Sequence, residues 1–382
     1  MKTALVIDRF DRTLGGAQQW TGQFAEWLLR QGCEVHVLAR QFGKEELSMA
    51  IQPHLLSGGR SPFSFASAVE RYLPRLSPDV THDMGVSWSS DIFQPHFGSR
   101  IANRERNNAC RPKWQQGIHR QLTRQLPRYR HINQFVARQY ASRQRVYIAL
   151  SQMVARDMQR FHGVPSHMIQ TIHNGVDIDR FSPTNCFPNR SHIRRKLGIT
   201  DHEILLLIVA HNFQLKGLPT LVRAHRKLVQ QGLPVRLAVC GGKHLRGSLP
   251  RSFGSDAGIW MLGPVEDPLP FYAAADIYVH PTYYDACSLV VLEAMACGLP
   301  VITTTWNGAG ELISHGREGF LMTDPTDTDD LIQHLVALMC PDKRRAMGLA
   351  ARALAEQHTT EQNFQQLWKL YTRYLVAPSR AA

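Results

Sequence analysis

Two carboxylates stand out by their spacing. Asp285 and Glu293 have seven residues between them, inside the stretch Tyr283 to Val301. Apolar periodicity predicts a helix from Leu289 to Ala296, which puts Asp285 in the loop before it and Glu293 two turns in. A ligand lying along the start of that helix reaches both acids and the free amides of Ala286, Cys287, Ser288 and Leu289. Sugar hydroxyls suit the acids and a diphosphate suits the amides; a solvated helix face is the plainer alternative. A second candidate is Gly15-Gly16, between an apolar strand, Lys2 to Ile7, and a helix, Gln18 to Arg30. Glycine at such a turn lets backbone amides approach a phosphate at the positive end of the helix, although a simple tight turn explains it as well. The spacing does not fit G-x-G-x-x-G, which speaks against a dinucleotide oxidoreductase.

The elements that must position these residues read as alternating strands and helices. The opening strand, glycine turn, helix and strand Glu34 to Ala39 make a βαβ unit, for which a parallel sheet is expected. Val80 to Met84, Tyr147 to Leu150 and Ile169 to Ile172 extend it into one Rossmann-like domain. Asn174 to Asn189, with Gly175, Pro183 and Pro188, has the composition of an interdomain linker. A second series follows: strand Ile204 to Ala210, helix Leu218 to Gln230, strands Val235 to Cys240, Trp260 to Leu262 and Ile277 to His280, the Glu293 helix, strand Pro300 to Thr304 and helix Leu331 to Met339. The expectation is α/β, two doubly wound domains at 1–178 and 179–360 facing a deep cleft, with the amphipathic tail 361–382 packing back on the first.

Composition narrows the function classes. The 382 residues suit two domains. The seven cysteines are scattered singly, without zinc spacing, and read as reduced cytosolic thiols. The N-terminus has no signal-peptide h-region and no run is long enough to span a membrane. A net charge of +13 calls for an anionic partner. That charge concentrates between Arg100 and Arg160, and within it, from Arg104 to Arg145, Trp114, Ile118, Leu122, Leu126, Tyr129, Ile132 and Phe135 interleave with arginines, a mixture suited to an anionic bilayer surface. A solvated, arginine-rich helix pair is the alternative. A nucleic-acid-binding protein explains the arginines but not the second domain, and no nucleic-acid-binding motif accompanies them.

The acid, seven residues, Glu293, Ala294 and Gly298-Leu299-Pro300-Val301 resemble the signature of retaining glycosyltransferase family 4. Gly15-Gly16-Ala17, Asn174-Gly175-Val176-Asp177, Ala210-His211-Asn212-Phe213 with Lys216-Gly217, Ala275-Asp276 before His280-Pro281, and Asn307-Gly308-Ala309-Gly310-Glu311 carry the likeness along the chain, nearest to the lipopolysaccharide core glucosyltransferases. The resemblance implies a GT-B fold and transfer of a hexose, from a UDP-sugar, to a lipopolysaccharide core or other glycan or lipid-linked acceptor. It implies no cofactor and no metal, and a cytoplasmic protein held peripherally on the inner membrane. Asp177-Ile178-Asp179 spells D-x-D but reads as capping acids. The implied roles are Glu293 to the nucleotide ribose, Asp285 to the sugar hydroxyls, and Lys216 to the diphosphate with His211 and Asn212 assisting. Asp285 replaces the usual glutamate and is shorter by one methylene, which leaves the donor sugar open. In the first domain the resemblance places Asp91, Gln94, His96 and Ser99 beside the acceptor, with His96 next to the reacting atoms and His82 and Asp83 as the rival pair. An epimerase or phosphorylase of the same two-domain shape is the other reading.

Overall fold

The computed structural model describes residues 1–43, 48–56, 59, 61–242 and 258–376, with 124, 125, 187–189 and 376 described by backbone alone. Residues 377–382 of the expected tail, and the side chains of Arg124 and Pro188, lie outside that set.

Residues 1–108, 112–172 and 362–382 form one compact unit, and residues 109–111 and 173–361 a second. The first contains seven strands: β1 (Lys2–Phe10), β2 (Glu34–Phe42), β3 (Ile51–Leu55), β4 (Val80–Asp83), β5 (Ile92–Phe93), β6 (Val146–Ala149) and β7 (Ile169–Thr171). They pair in the order β3-β2-β1-β4-β5-β6-β7, all parallel. A central parallel strand is buried on both faces, and β1 shows how period-two alternation serves both. Leu5 and Ile7 pack with Phe24 and Trp27 of the helix Gly16–Arg30, and Ala4 and Val6 pack with Phe65 and Val69 of the helix Pro62–Leu76.

The tail helix Thr360–Val376 completes the first of these layers. Phe364, Leu367 and Tyr371, at helical spacing, are buried against Phe24 and Trp27. Asn363 accepts a hydrogen bond from the Trp20 indole at 3.1 Å.

The second unit holds β8 (Ile204–Ala210), β9 (Val235–Gly241), β10 (Ile259–Gly263), β11 (Ile277–His280), β12 (Val301–Thr304) and β13 (Gly319–Met322). Their order is β10-β9-β8-β11-β12-β13, again all parallel. This is the dinucleotide-binding strand order, in which ligands sit outside the carboxyl ends of the strands near β8 and β11.

Sequence reading missed β3, β5 and β13, each short or half exposed, and the helices Pro62–Leu76, Gln152–His162, Leu269–Ala274 and Pro341–Ala355. It also mistook part of a helix for linker: Pro183–Lys196 is helical. Ser182 caps it, accepting from the Asn185 amide at 3.3 Å, and Pro183 occupies the first turn, where a missing N–H costs nothing. Arg190 and the buried Arg194 then bind opposite oxygens of Asp276, at 2.7 and 2.9 Å, and clamp that helix to the second sheet. The basic segment forms three helices, Arg100–Ala109, Lys113–Gln125 and Pro127–Gln139. Arg145 is no part of any docking face. It is buried, donates to the carbonyls of Gln139 and Trp88, and lies 5.3 Å from the Phe93 ring centre.

Candidate functional site

In the second unit the loops that follow β8, β11 and β12, three neighbouring strands, gather the predicted donor residues at one carboxyl edge. The β8 loop turns sharply. Asn212 accepts from the Leu215 amide through its side chain and from the Lys216 amide through its carbonyl, at 3.2 and 2.9 Å. Gly217 follows with φ +76°, and a Cβ there would lie 2.0 Å from the Pro281 carbonyl oxygen. Only glycine lets the two loops come this close. They are then stitched by the Tyr283 amide donating to Leu215 at 2.8 Å.

The close approach brings Lys216 Nζ to 2.5 Å from Asp285 Oδ2 and 3.3 Å from the Tyr284 carbonyl. His280 Nε2 lies 3.4 Å from the same carboxylate oxygen. Burial pushes the Asp285 carboxyl up, but the Lys216 charge and the contact with His280 outweigh it and hold the carboxyl below its ordinary range. Lys216 and Asp285 therefore form a preassembled ion pair at this edge. His211, at the end of β8, is exposed.

The helix Leu289–Ala296 begins beside that pair. Its amides are not all free as the sequence suggested: Asn307 Oδ1 takes the Ser288 amide at 3.2 Å. Ala286 and Cys287 are buried, and the Cys287 carbonyl accepts from Asn174 Nδ2 at 2.7 Å. The first turn, from Leu289, keeps donors without intrahelical acceptors, and the Ser288 hydroxyl is sealed without a partner. Glu293 Oε2 accepts from the Tyr272 hydroxyl at 2.8 Å. Burial pushes the Glu293 carboxyl up to about 7, against the lowering effect of Tyr272 and Arg180. Tyr272 and His280 as neighbours of the two acids were not foreseen; no local pattern marks them, since each arrives from another element.

In the first unit the equivalent edge, after β1, β4 and β5, carries the other candidates. Gly15 has φ 153° and ψ −178°, a conformation open to glycine alone, and starts the helix Gly16–Arg30 with no side-chain cap and no acid in its first turn. Trp20 on that helix packs on His96, ring centres 4.6 Å apart. Burial pushes His96 down to about 3, so it is a neutral imidazole, and its Nε2 is sealed without a partner. The buried Gln94 sits beside His82 and opposes, by a side-chain contact, the lowering of its pKa by burial, but no hydrogen bond of good geometry to its amide forms among the described residues.

Asp91 and Ser99 serve the scaffold instead of facing outward. The Asp91 oxygens accept from the Thr81 amide at 2.7 Å and the Tyr374 hydroxyl at 2.6 Å. Ser99 Oγ accepts from the Ala102 amide at 3.2 Å and meets His162 Nε2 at 3.0 Å. Of the rival pair, His82 shares a 2.8 Å hydrogen bond with Tyr371, and Asp83 accepts from the amides of Gly85, Val86 and Ser87 and from the Ser87 hydroxyl.

Residues 14–180 match the model of Glycosyltransferase Family 4 and residues 203–340 that of Glycosyl transferases group 1. The chain is built from glycosyltransferase domains. It is 34% identical over 218 residues to a D-inositol 3-phosphate glycosyltransferase of Corynebacterium jeikeium, matching 53% of this chain and 51% of that one. The chain thus spans about half the length of the curated relatives it matches. Its fold is that of WaaG, a glycosyltransferase involved in lipopolysaccharide biosynthesis (TM-score 0.79, 22% identity, 97% of this chain and 99% of that one). It is also that of Anabaena Alr3699/HepE in complex with UDP-glucose (TM-score 0.71, 20% identity, 98% and 100%). The two parallel-sheet units therefore have the GT-B fold of those structures. The relative named from sequence acts on inositol phosphate, so the likeness to lipopolysaccharide core enzymes is one of fold.

Within these glycosyltransferase domains the D-x-D triplet is a cap. Asp177 Oδ1 accepts from the amides of Asp179 and Arg180, at 3.2 and 3.0 Å. Among the described residues no group of three or more His, Cys, Asp or Glu could hold a metal ion.

Proposed function

We propose that the chain is a retaining, metal-independent glycosyltransferase that moves a hexosyl group from a UDP-sugar to a hydroxyl of a glycan or lipid-linked acceptor, lipopolysaccharide core being the expected one. The observation that carries this reading is the Lys216–Asp285 pair at the head of the helix that bears Glu293. Breaking the bond from the anomeric carbon to phosphate leaves a diphosphate with added negative charge, which a fixed cation and free amides stabilise. Lys216 supplies the cation and the first turn after Ser288 the amides. Asp285, held ionised, accepts hydrogen bonds from sugar hydroxyls next to the diphosphate, and Glu293 keeps Oε1 for the ribose while Tyr272 occupies Oε2. The leaving phosphate takes the acceptor proton in front-side attack, so no protein base is required. The decisive experiment incubates the protein with UDP-, GDP- and ADP-sugars and either lipid A core extract or D-inositol 3-phosphate, following diphosphate release. Glu293→Ala is expected to abolish turnover with an unchanged circular dichroism spectrum; retained turnover overturns this site.

We also infer peripheral docking on an anionic bilayer through the helix Lys113–Gln125. Trp114, Ile118 and Leu122 share one face at helical spacing and are 72%, 57% and 48% exposed, while Lys113 and Arg120 are exposed on the same short helix. No described helix is long and apolar enough to cross a membrane. Co-sedimentation with vesicles containing phosphatidylglycerol is expected, falling sharply in Trp114→Ser/Ile118→Ser; indifference to anionic lipid rejects the docking.

A further inference from the structure

Lys216 cannot serve two anions at full strength. Its ammonium sits 2.5 Å from Asp285 Oδ2 and 3.3 Å from the Tyr284 carbonyl, so lysine and acid together carry no net charge. A neutral pair attracts a diphosphate far more weakly than a lone cation does, and Lys216 therefore acts most strongly on a leaving group once it has turned away from the acid. A ligand can reach the pair, whose side chains are 19% and 18% exposed. The turn nevertheless strands a mostly buried carboxylate, and breaking such a pair by removing one partner is costly. A second donor at the same oxygen removes that cost.

His280 stands in that place. It ends β11 and is 1% exposed. Thr303 Oγ1 donates to its carbonyl at 2.9 Å, and its ring lies within 13° of parallel to the Tyr278 ring. Its Nε2 is sealed from solvent 3.4 Å from Asp285 Oδ2, close enough to act on the charge, yet among the described residues it makes no hydrogen bond of good geometry. The carboxylate assigns the tautomer: a lone pair on Nε2 would oppose Oδ2, so Nε2 carries the proton and Nδ1 accepts from the Tyr278 hydroxyl at 3.4 Å. Burial pushes the ring toward its neutral form against the opposing effect of Asp285, with Lys216 adding to the burial. The backbone of Asp285 is fixed, since its amide donates to Trp306 and its carbonyl accepts from Gly308, both at 2.9 Å. A rotation of the side chain alone that closes the gap by about 0.5 Å makes an ordinary N–H···O bond.

We propose that His280 is a positioning residue that takes over the Asp285 carboxylate when Lys216 turns from it to the diphosphate of the donor. The inference deepens the transferase reading and rests on it. Two consequences follow for the site: Lys216 is released at little cost, and Asp285 stays ionised and in place, with Oδ1 left to accept from the sugar hydroxyls.

A double-mutant cycle without any ligand tests the exchange. With Lys216 present, His280→Phe is expected to shift the melting temperature by less than about 2 °C. In the Lys216→Met protein, where Asp285 has lost its cation, the same substitution is expected to lower it by about 4 °C or more. His280→Gln, which offers an amide N–H in the place of Nε2, recovers at least part of that loss. Calorimetric titration of UDP reads the same exchange in function: His280→Phe is expected to bind about fivefold or more weakly than wild type, because Lys216 stays on the acid, with His280→Gln between the two. Equal melting losses with and without Lys216, or UDP affinity indifferent to His280→Phe, overturns the proposal. Should His280→Phe fail to fold, His280→Leu enters the same cycle. Wild-type protein that does not bind UDP removes the transferase reading and with it the diphosphate half of the exchange, whereas the melting cycle still decides whether His280 holds Asp285.

Discussion

The two sheets present the same three-strand edge in opposite electrostatic states. After β8, β11 and β12 the charged groups are matched in advance, Lys216 with Asp285 and Glu293 with Tyr272, and the Ser288 amide meets Asn307 although the Ser288 hydroxyl is sealed without a partner. After β1, β4 and β5 the acids Asp83 and Asp91 are matched too, but among the described residues Gln94, His96 and Arg100 hold buried atoms without a hydrogen-bond partner. A matched site is stable empty and binds by exchanging partners, whereas an unmatched one stores the cost of burial until a ligand relieves it. The first suits a ligand of fixed chemistry, such as a nucleoside diphosphate. The second suits selection among acceptors.

The comparison breaks most readily at Lys216. Lys216→Met is expected to lower turnover about 10²- to 10³-fold, the loss typical of one transition-state charge partner, and steady-state kinetics that show less than tenfold would remove the lysine from the leaving-group site. Next in size, Gly217→Ala forces a left-handed residue against the Pro281 carbonyl and is expected to cost about 2–3 kcal/mol in chemical denaturation. Its unfolding curve should separate the matched edge, which depends on this close approach, from the first unit, which does not contain it.

The Glu293 carboxyl gives a pH signature. Its raised value, about 7, means that acidification protonates it and removes an acceptor from the ribose. UDP-glucose affinity is therefore expected to fall about fivefold from pH 7 to pH 6. Tyr272→Phe deletes a contact that favours the carboxylate, so the same fall moves to higher pH; a flat calorimetric profile in both proteins excludes Glu293 from donor binding. The smallest effect sharpens the other side of the comparison. Gln94→Met replaces two buried polar atoms that make no hydrogen bond of good geometry by apolar ones and is expected to raise stability by about 1 kcal/mol, whereas a decrease in thermal melting shows that Gln94 is paired after all.

Much of this was legible in the chain because it is local. Ile204–Ala210, Leu218–Gln230, Ile277–His280 and Leu289–Ala296 have the bounds read from the sequence, since each is a buried strand, an amphipathic helix or, for Leu289–Ala296, a largely apolar helix, with glycine, proline or polar punctuation at its ends. Pro183 misled because proline marks helix starts as readily as loops, and only the Ser182 cap distinguishes them. Arg145 misled because a charge run does not say which member turns inward. Asp91 and Ser99 were read as acceptor-side groups, but their bonds to Thr81 and Ala102 nearby and to Tyr374, 283 positions away, tie them into the scaffold.

By itself the sequence determined the repeated strand-helix alternation, the turn glycines and the presence of Lys216, Asp285 and Glu293, because these depend on residue type and short spacing. Tertiary structure alone decided which charges meet. Asp285 stays ionised because a lysine 69 positions away is brought to 2.5 Å, and Arg145 can be buried because the carbonyls of Gln139 and Trp88 receive it. Burial and distance set those energies, and both arise only when distant segments pack together.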